Sequence, residues 1–253
     1  MKKLFYALLI VSSLNTSAKI SKTTRTKSLL TEKIEKTFSK SLSKKDIKLA
    51  KEEVLKYKGK AVPALINIMK NEKFPDRNRW VATFLLGRVM GRKSIPFMTK
   101  FSKHPNWVMR LASYKSLLAL GEKDPKIYSK GLKDPSLLVR FQSLDSVSRL
   151  NLTELAPTVW SMLYDKRNYY SSKKDNKKKR QHIVKSIVKT VGDLKFKKAE
   201  EALLKMVLNK KYDDILKEMN YALSKITNKK APVDDPVMIK RFWKKHQLAK
   251  MTF

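Results

Sequence analysis

The sequence predicts an all-α fold, a right-handed α-solenoid of about six stacked helix–turn–helix repeats. Three observations carry that prediction. Arginines recur at Arg79, Arg110 and Arg140, spaced 31 and 30 residues apart, each followed three positions later by a small residue: Ala82, Ser113 and Ser143. Between these marks apolar residues fall at helical spacing, as in Val108, Leu111, Tyr114, Leu117 and Leu118, or Leu138, Phe141, Leu144 and Val147. Finally, 6 glycines and 9 prolines in 253 residues are too few for a many-turned sandwich or barrel. One repeat of this size cannot bury its own apolar face, so stacking has to supply the core.

The chain opens with an address. Lys2 and Lys3 precede an unbroken apolar run, Leu4 to Val11, and then a polar stretch closing on Thr16-Ser17-Ala18. Eight apolar residues span about 12 Å of helix, far short of a hydrocarbon core of about 30 Å. Residues 1–18 therefore read as a secretory signal peptide, with an amphipathic or buried N-terminal helix as the alternative. Residues 19–28, rich in Ser, Thr and Lys, read as a flexible linker.

Residues 29–246 hold the repeats and 247–253 form a tail. Leu30, Ile34, Phe38 and Leu42, four apart, mark an amphipathic helix that caps the stack. Ser43-x-x-Asp46 is a capping-box pattern ahead of a helix with Ile47, Ala50 and Val54 on one face. Gly59 ends that helix, and Ala61-Val62-Pro63 begins the next. Phe74-Pro75-Asp76, His104-Pro105-Asn106 and Asp134-Pro135-Ser136 precede the three arginines, with Asp134 expected as a helix cap. Gly87, Gly91, Gly121 and Gly192 lie near helix ends, where a left-handed residue is wanted. Arg180 keeps the period, but 40 residues after Arg140. The surplus lies in a basic insertion at 168–180, expected as a surface loop.

The Arg-x-x-small pattern, best seen in Arg79 to Gly87 and in Asp134 to Arg140, resembles the bacterial HEAT repeat, including its phycobilin-lyase-like subgroup. Ala222-Leu223, Ile226-Thr227-Asn228, Asp235-Pro236 and Phe242-Trp243 are similar to the closing segment of many such proteins, with Ile226 and Asn228 in place of the usual Leu and Gly. The resemblance spans residues 43 to 246. It implies a fold and hardly any function, because such repeats scaffold many unrelated partners.

Charge points to a class of partner. The formal charge is +36, from 58 basic and 22 acidic residues, and removal of residues 1–18 leaves +34, two lysines and no acid being lost. Such a surface attracts polyanions: nucleic acid, anionic lipid headgroups or acidic envelope polymers. The competing explanation is compositional, lysine being ordinary on solvated helix faces. The candidate polyanion site is the insertion: Tyr169 and Tyr170 as stacking rings, with Lys173, Lys174, Lys177, Lys178, Lys179 and Arg180 as phosphate or carboxylate partners. A solvated loop without a partner is the bland reading of the same residues. Lys93, Lys100, Lys103, Lys126, Lys130, Lys197, Lys198 and Lys205 are expected on second helices. Trp80, Trp107, Trp160 and Trp243 are expected in the core.

Catalytic signals are poor. The sequence has no cysteine, which excludes disulfides, thiol chemistry and cysteine zinc sites. His104, His182 and His246 lack metal-ligand spacing, and no phosphate loop or nucleophile elbow occurs. No catalytic residue, metal or cofactor is therefore expected. The leading reading is a periplasmic or secreted binding protein that engages a protein partner or an anionic envelope polymer. The alternative is a cytoplasmic nucleic-acid-binding protein. The resemblance there extends to alkylpurine DNA glycosylases, with Asp145 as the conceivable acid.

Overall fold

The computed structural model describes residues 28–171, 178–232 and 234–251, with the backbone alone for Ser171, Lys178–Arg180 and Met251. The described chain is almost entirely helical. A lone helix α1 (Leu29–Phe38) precedes α2 (Lys44–Lys56) and α3 (Val62–Lys70), then α4 (Asp76–Met90) and α5 (Ile95–Phe101), α6 (Trp107–Ala119) and α7 (Pro125–Leu132), α8 (Leu137–Arg149) and α9 (Ala156–Ser161). After the insertion come α10 (His182–Asp193), α11 (Glu200–Leu208), α12 (Leu216–Thr227) and α13 (Pro236–Met251), the last running past the expected end of the repeats.

Local chemistry sets the boundaries. The Ser43 hydroxyl accepts from the Asp46 amide, while the Asp46 carboxylate accepts from the Ser43 amide: both halves of the capping box are made. Prolines sit in the first turns of α3, α5, α7 and α9, where a missing N–H costs nothing. Two glycines take the left-handed conformation, Gly91 at φ 55° and Gly121 at φ 68°. Elsewhere that role falls to Lys58, Asn151 and Lys195. Gly87 and Gly192 are inside helices instead, set against Ser116 and Ala222. A Cβ on Gly192 would lie 2.6 Å from the Ala222 Cα, so this glycine is there for closeness and not for φ.

Successive first helices, α4, α6, α8, α10 and α12, pack directly on one another in sequence order. Each also packs most closely on the second helix before it, α3 on α4, α7 on α8, α11 on α12, and only weakly on the one after. The small residues explain that choice. Gly131 on α7 faces Ser143 on α8, and a Cβ there would collide with the Ser143 Oγ and the Tyr114 ring. Ala82, Ser113 and Ser143, the small residue three after each arginine, are all fully buried. One continuous core runs from Ile34 to Trp243.

Several expectations are corrected. α1 stops at Phe38, and Leu42 is buried from the connecting segment. Asp134 does not cap α8; the helix starts at Leu137, and the Asp134 carboxylate accepts from the Ser136 amide at 2.8 Å and from Arg110. On α8, Leu144 and Val147 are core but Leu138 and Phe141 are exposed. Trp243 is buried and its Nε1 donates to Asn220 at 2.8 Å, Trp80 and Trp160 are half-buried, but Trp107 is 43% exposed.

Candidate binding surface

The three marked arginines bind protein, not ligand. The Arg110 Nε and Nη2 donate to the two Asp134 carboxylate oxygens at 2.7 and 2.8 Å, reaching into the next unit. Its Nη1 donates back to the His104 and Pro105 carbonyls at 2.9 and 2.7 Å. Arg140 repeats the pattern, with Asp134 and Pro135 carbonyls behind it and the Asn168 side-chain oxygen ahead. Arg79 holds the Met69 carbonyl and Asp76, and Asp76 in turn accepts from Asn106 of the following unit. Each guanidinium thus pins two successive turns together. The Asp134 bond pushes the Arg110 pKa up, whereas burial pulls that of Arg140 down.

Arg180 does not continue this series. It lies in a strand two residues before α10, whereas Arg79, Arg110 and Arg140 lie within α4, α6 and α8. The insertion departs from a plain loop as well: β1 (Tyr169–Ser171) pairs antiparallel with β2 (Lys178–Arg180), Tyr169 opposite Arg180 and Tyr170 opposite Lys179. Adjacent tyrosines favour extended backbone. The buried Asn168 anchors the base, donating to the Met162 carbonyl at 2.9 Å.

Of the eight residues expected to meet a polyanion, Tyr169 turns into the body, its hydroxyl donating to the Leu163 carbonyl at 2.6 Å and its ring packed on the core. Tyr170 is 50% exposed. Lys173, Lys174 and Lys177 lie outside the described residues, as do the side chains of Lys178, Lys179 and Arg180. Of the lysines expected on second helices, Lys100, Lys126, Lys130 and Lys205 lie on α5, α7 and α11, whereas Lys93, Lys197 and Lys198 lie in short 3-10 turns and Lys103 follows α5; all eight are exposed.

A surface that the spacing did not single out runs along the first helices. The Trp80 and Phe84 rings stack 6.3 Å apart on α4, with the Lys51 ammonium 5.9 Å from the Phe84 centroid and that of Lys115 5.5 Å from Trp80. Towards the other end, Lys189 and Lys225 lie 5.6 and 5.5 Å from the Tyr221 ring. The Tyr221 hydroxyl donates to Asp193 at 2.5 Å, and this bond and burial together push its pKa up to about 12, so it stays a neutral donor. Lys217, Lys225, Lys229 and Lys230 line a cleft beside Tyr221. These residues were legible in principle: Trp80, Leu111 and Phe141 each follow a ladder arginine, and Phe84, Lys115 and Asp145 come four later, on the side of the helix away from the buried arginine.

Among the described residues no three His, Cys, Asp or Glu side chains gather as metal ligands. The His104 Nδ1 accepts from the Asn106 amide, and burial lowers its pKa. Asp145 is held by Arg149 one turn away at 2.8 Å. Among the described residues no helix is long and apolar enough to cross a membrane. No protein-family model matches the chain, and no curated protein matches its sequence.

Proposed function

We propose that this chain is an exported right-handed α-solenoid of HEAT-like repeats that binds an anionic polymer along the outward face of its first helices. The observation that carries the reading is the pairing of ammonium and ring at intervals along that face: Lys51 with Phe84, Lys115 with Trp80, Lys189 and Lys225 with Tyr221. An ammonium held near a ring gains roughly 0.5–1 kcal/mol at an exposed site and keeps its other donors for a phosphate, sulfate or carboxylate. The direct packing of successive first helices and the arginine links between units favour a stacked array. A stacked array repeats its outward positions at a fixed interval, which suits a polymer more than a small molecule. Strand β2, all of whose residues are basic, adds to the positive charge of the molecule.

Salt titration tests it. Heparin and single-stranded DNA should both bind, with affinity falling steeply as salt rises. Changing Lys51, Lys115, Lys189 and Lys225 together to glutamine should flatten the slope for DNA by about 3, at roughly 0.7 per phosphate contact. An unaltered slope and affinity in that variant would remove the first-helix face from the reading.

A further inference from the structure

Leu138 and Phe141 follow the helical spacing of the α8 core stripe, yet they point outwards, because α8 turns Val139, Arg140, Gln142 and Ser143 inwards. With Leu137 and Tyr170 they form a cluster of exposed apolar side chains, at 37, 51, 43 and 50% exposure. They surround an open cleft of about 420 Å³, closed on its far side by His182 and Ile183 of α10. Trp107, exposed likewise, opens α6 as Leu137 opens α8. Among the described residues, none of the four in the cluster belongs to the buried core and none bonds to the arginine ladder.

We propose that this cluster and its basic border dock the protein on an anionic bilayer surface, with Leu138, Phe141 and Tyr170 entering the boundary between headgroups and acyl chains. Charge selects this occupant. The cluster's basic border is strand β2, whose three residues are Lys178, Lys179 and Arg180 and which pairs with β1 beside Tyr170; the nearby Arg167 and Lys185 are already paired with Asp165 and Glu218 and add no net charge. A second copy would bring +36 against +36, which repels. A soluble polyanion answers the charge but has nothing to offer four apolar side chains. An anionic bilayer answers both, through headgroup charge and a few ångströms of apolar depth, and tyrosine suits that boundary with an apolar ring and a polar tip. The proposal shares the charge of strand β2 with the polymer reading, but it rests on the apolar cluster of α8 and β1 and not on the lysine–ring pairs.

The absence of cysteine makes a clean probe possible. An environment-sensitive fluorophore is placed on L138C and, separately, on K126C of α7, and the full chain is mixed with vesicles. On phosphatidylethanolamine–phosphatidylglycerol vesicles the label at 138 should brighten and shift to the blue, and the label at 126 should not. Pure phosphatidylcholine should give neither change. The double variant L138S/F141S, both positions being exposed, should keep its helical circular dichroism and its affinity for heparin. Its binding to the anionic vesicles should weaken about tenfold. Should the label at 138 stay in water on anionic vesicles, or the double variant bind them as well as the parent, docking through this cluster is overturned while the polymer reading survives. A blue shift caused by an acidic apolar peptide but not by vesicles would overturn it in favour of a protein partner.

Discussion

Arg110 divides its guanidinium between two turns of the chain, and its worth depends on the carboxylate at the far end. Asp134 is 7% exposed, receives both charged hydrogen bonds of Arg110 and also accepts from the Ser136 amide. Removing it leaves a largely buried cation and an amide without their shared acceptor. Asp134→Ala should therefore cost about 3 kcal/mol, read as a fall in the urea midpoint. Arg110→Met made on top should recover part of the loss, since an apolar side chain in place of an unpaired charge is tolerated better than the charge itself. A loss in the double variant equal to the sum of the two single losses would mean that the pair does not couple the units. The sequence showed the arginines and their interval, but it showed neither acceptor. Asp134 reads as a helix cap by every local rule, and Asn168 sits in an insertion that interrupts the repeat period. Contacts 24 and 28 residues apart in the chain carry no local signature.

At the level of elements, helices were legible and their pairing was not. Capping box, first-turn prolines and helical spacing are properties of neighbouring residues, so they survive reading from the sequence alone. Which second helix a first helix touches most closely depends on where a glycine or serine lets two backbones approach, as at Gly131 with Ser143, and that is known only once the elements are placed. The closing helix shows the same limit. Helix α13 packs on α11, and its Lys250 and His246 donate to the Glu200 carboxylate at 2.7 and 3.3 Å. Burial pushes the Glu200 carboxyl up, but these bonds outweigh it and hold its pKa below the ordinary 4.5. A carboxyl lowered on folding adds stability above its unfolded value, and that stability is lost as pH falls through the folded one. The docking of α13 should accordingly weaken in acid, below pH 4.5 and not above it. Glu200→Gln should lower the neutral-pH melting temperature by a few degrees, for about 1 kcal/mol. It should also remove part of the melting temperature's acid slope; an unchanged slope would place the pH sensitivity elsewhere.

For the whole molecule, the basic surface takes its meaning from where the chain resides. A charge of +36 in a compartment full of nucleic acid would be occupied by it, whereas the same charge outside the inner membrane meets acidic envelope polymers and anionic lipid. The first eighteen residues decide between these settings, and they lie outside the described residues, so their sequence has to carry the argument. We propose that a doubly charged start, an apolar run too short to span a bilayer and a small residue at Ala18 form a secretory signal peptide. Protein recovered from its native host should begin at Lys19, found by N-terminal sequencing or intact mass. It should fractionate outside the cytoplasm. Retention of Met1 in a cytosolic fraction would reverse the assignment and turn the ammonium–ring face of α4, α6, α10 and α12 towards nucleic acid. In that case single-stranded DNA should outcompete heparin at equal charge, because the half-buried Trp80 and Phe84 rings can stack on bases but have less to gain from a sulfated sugar.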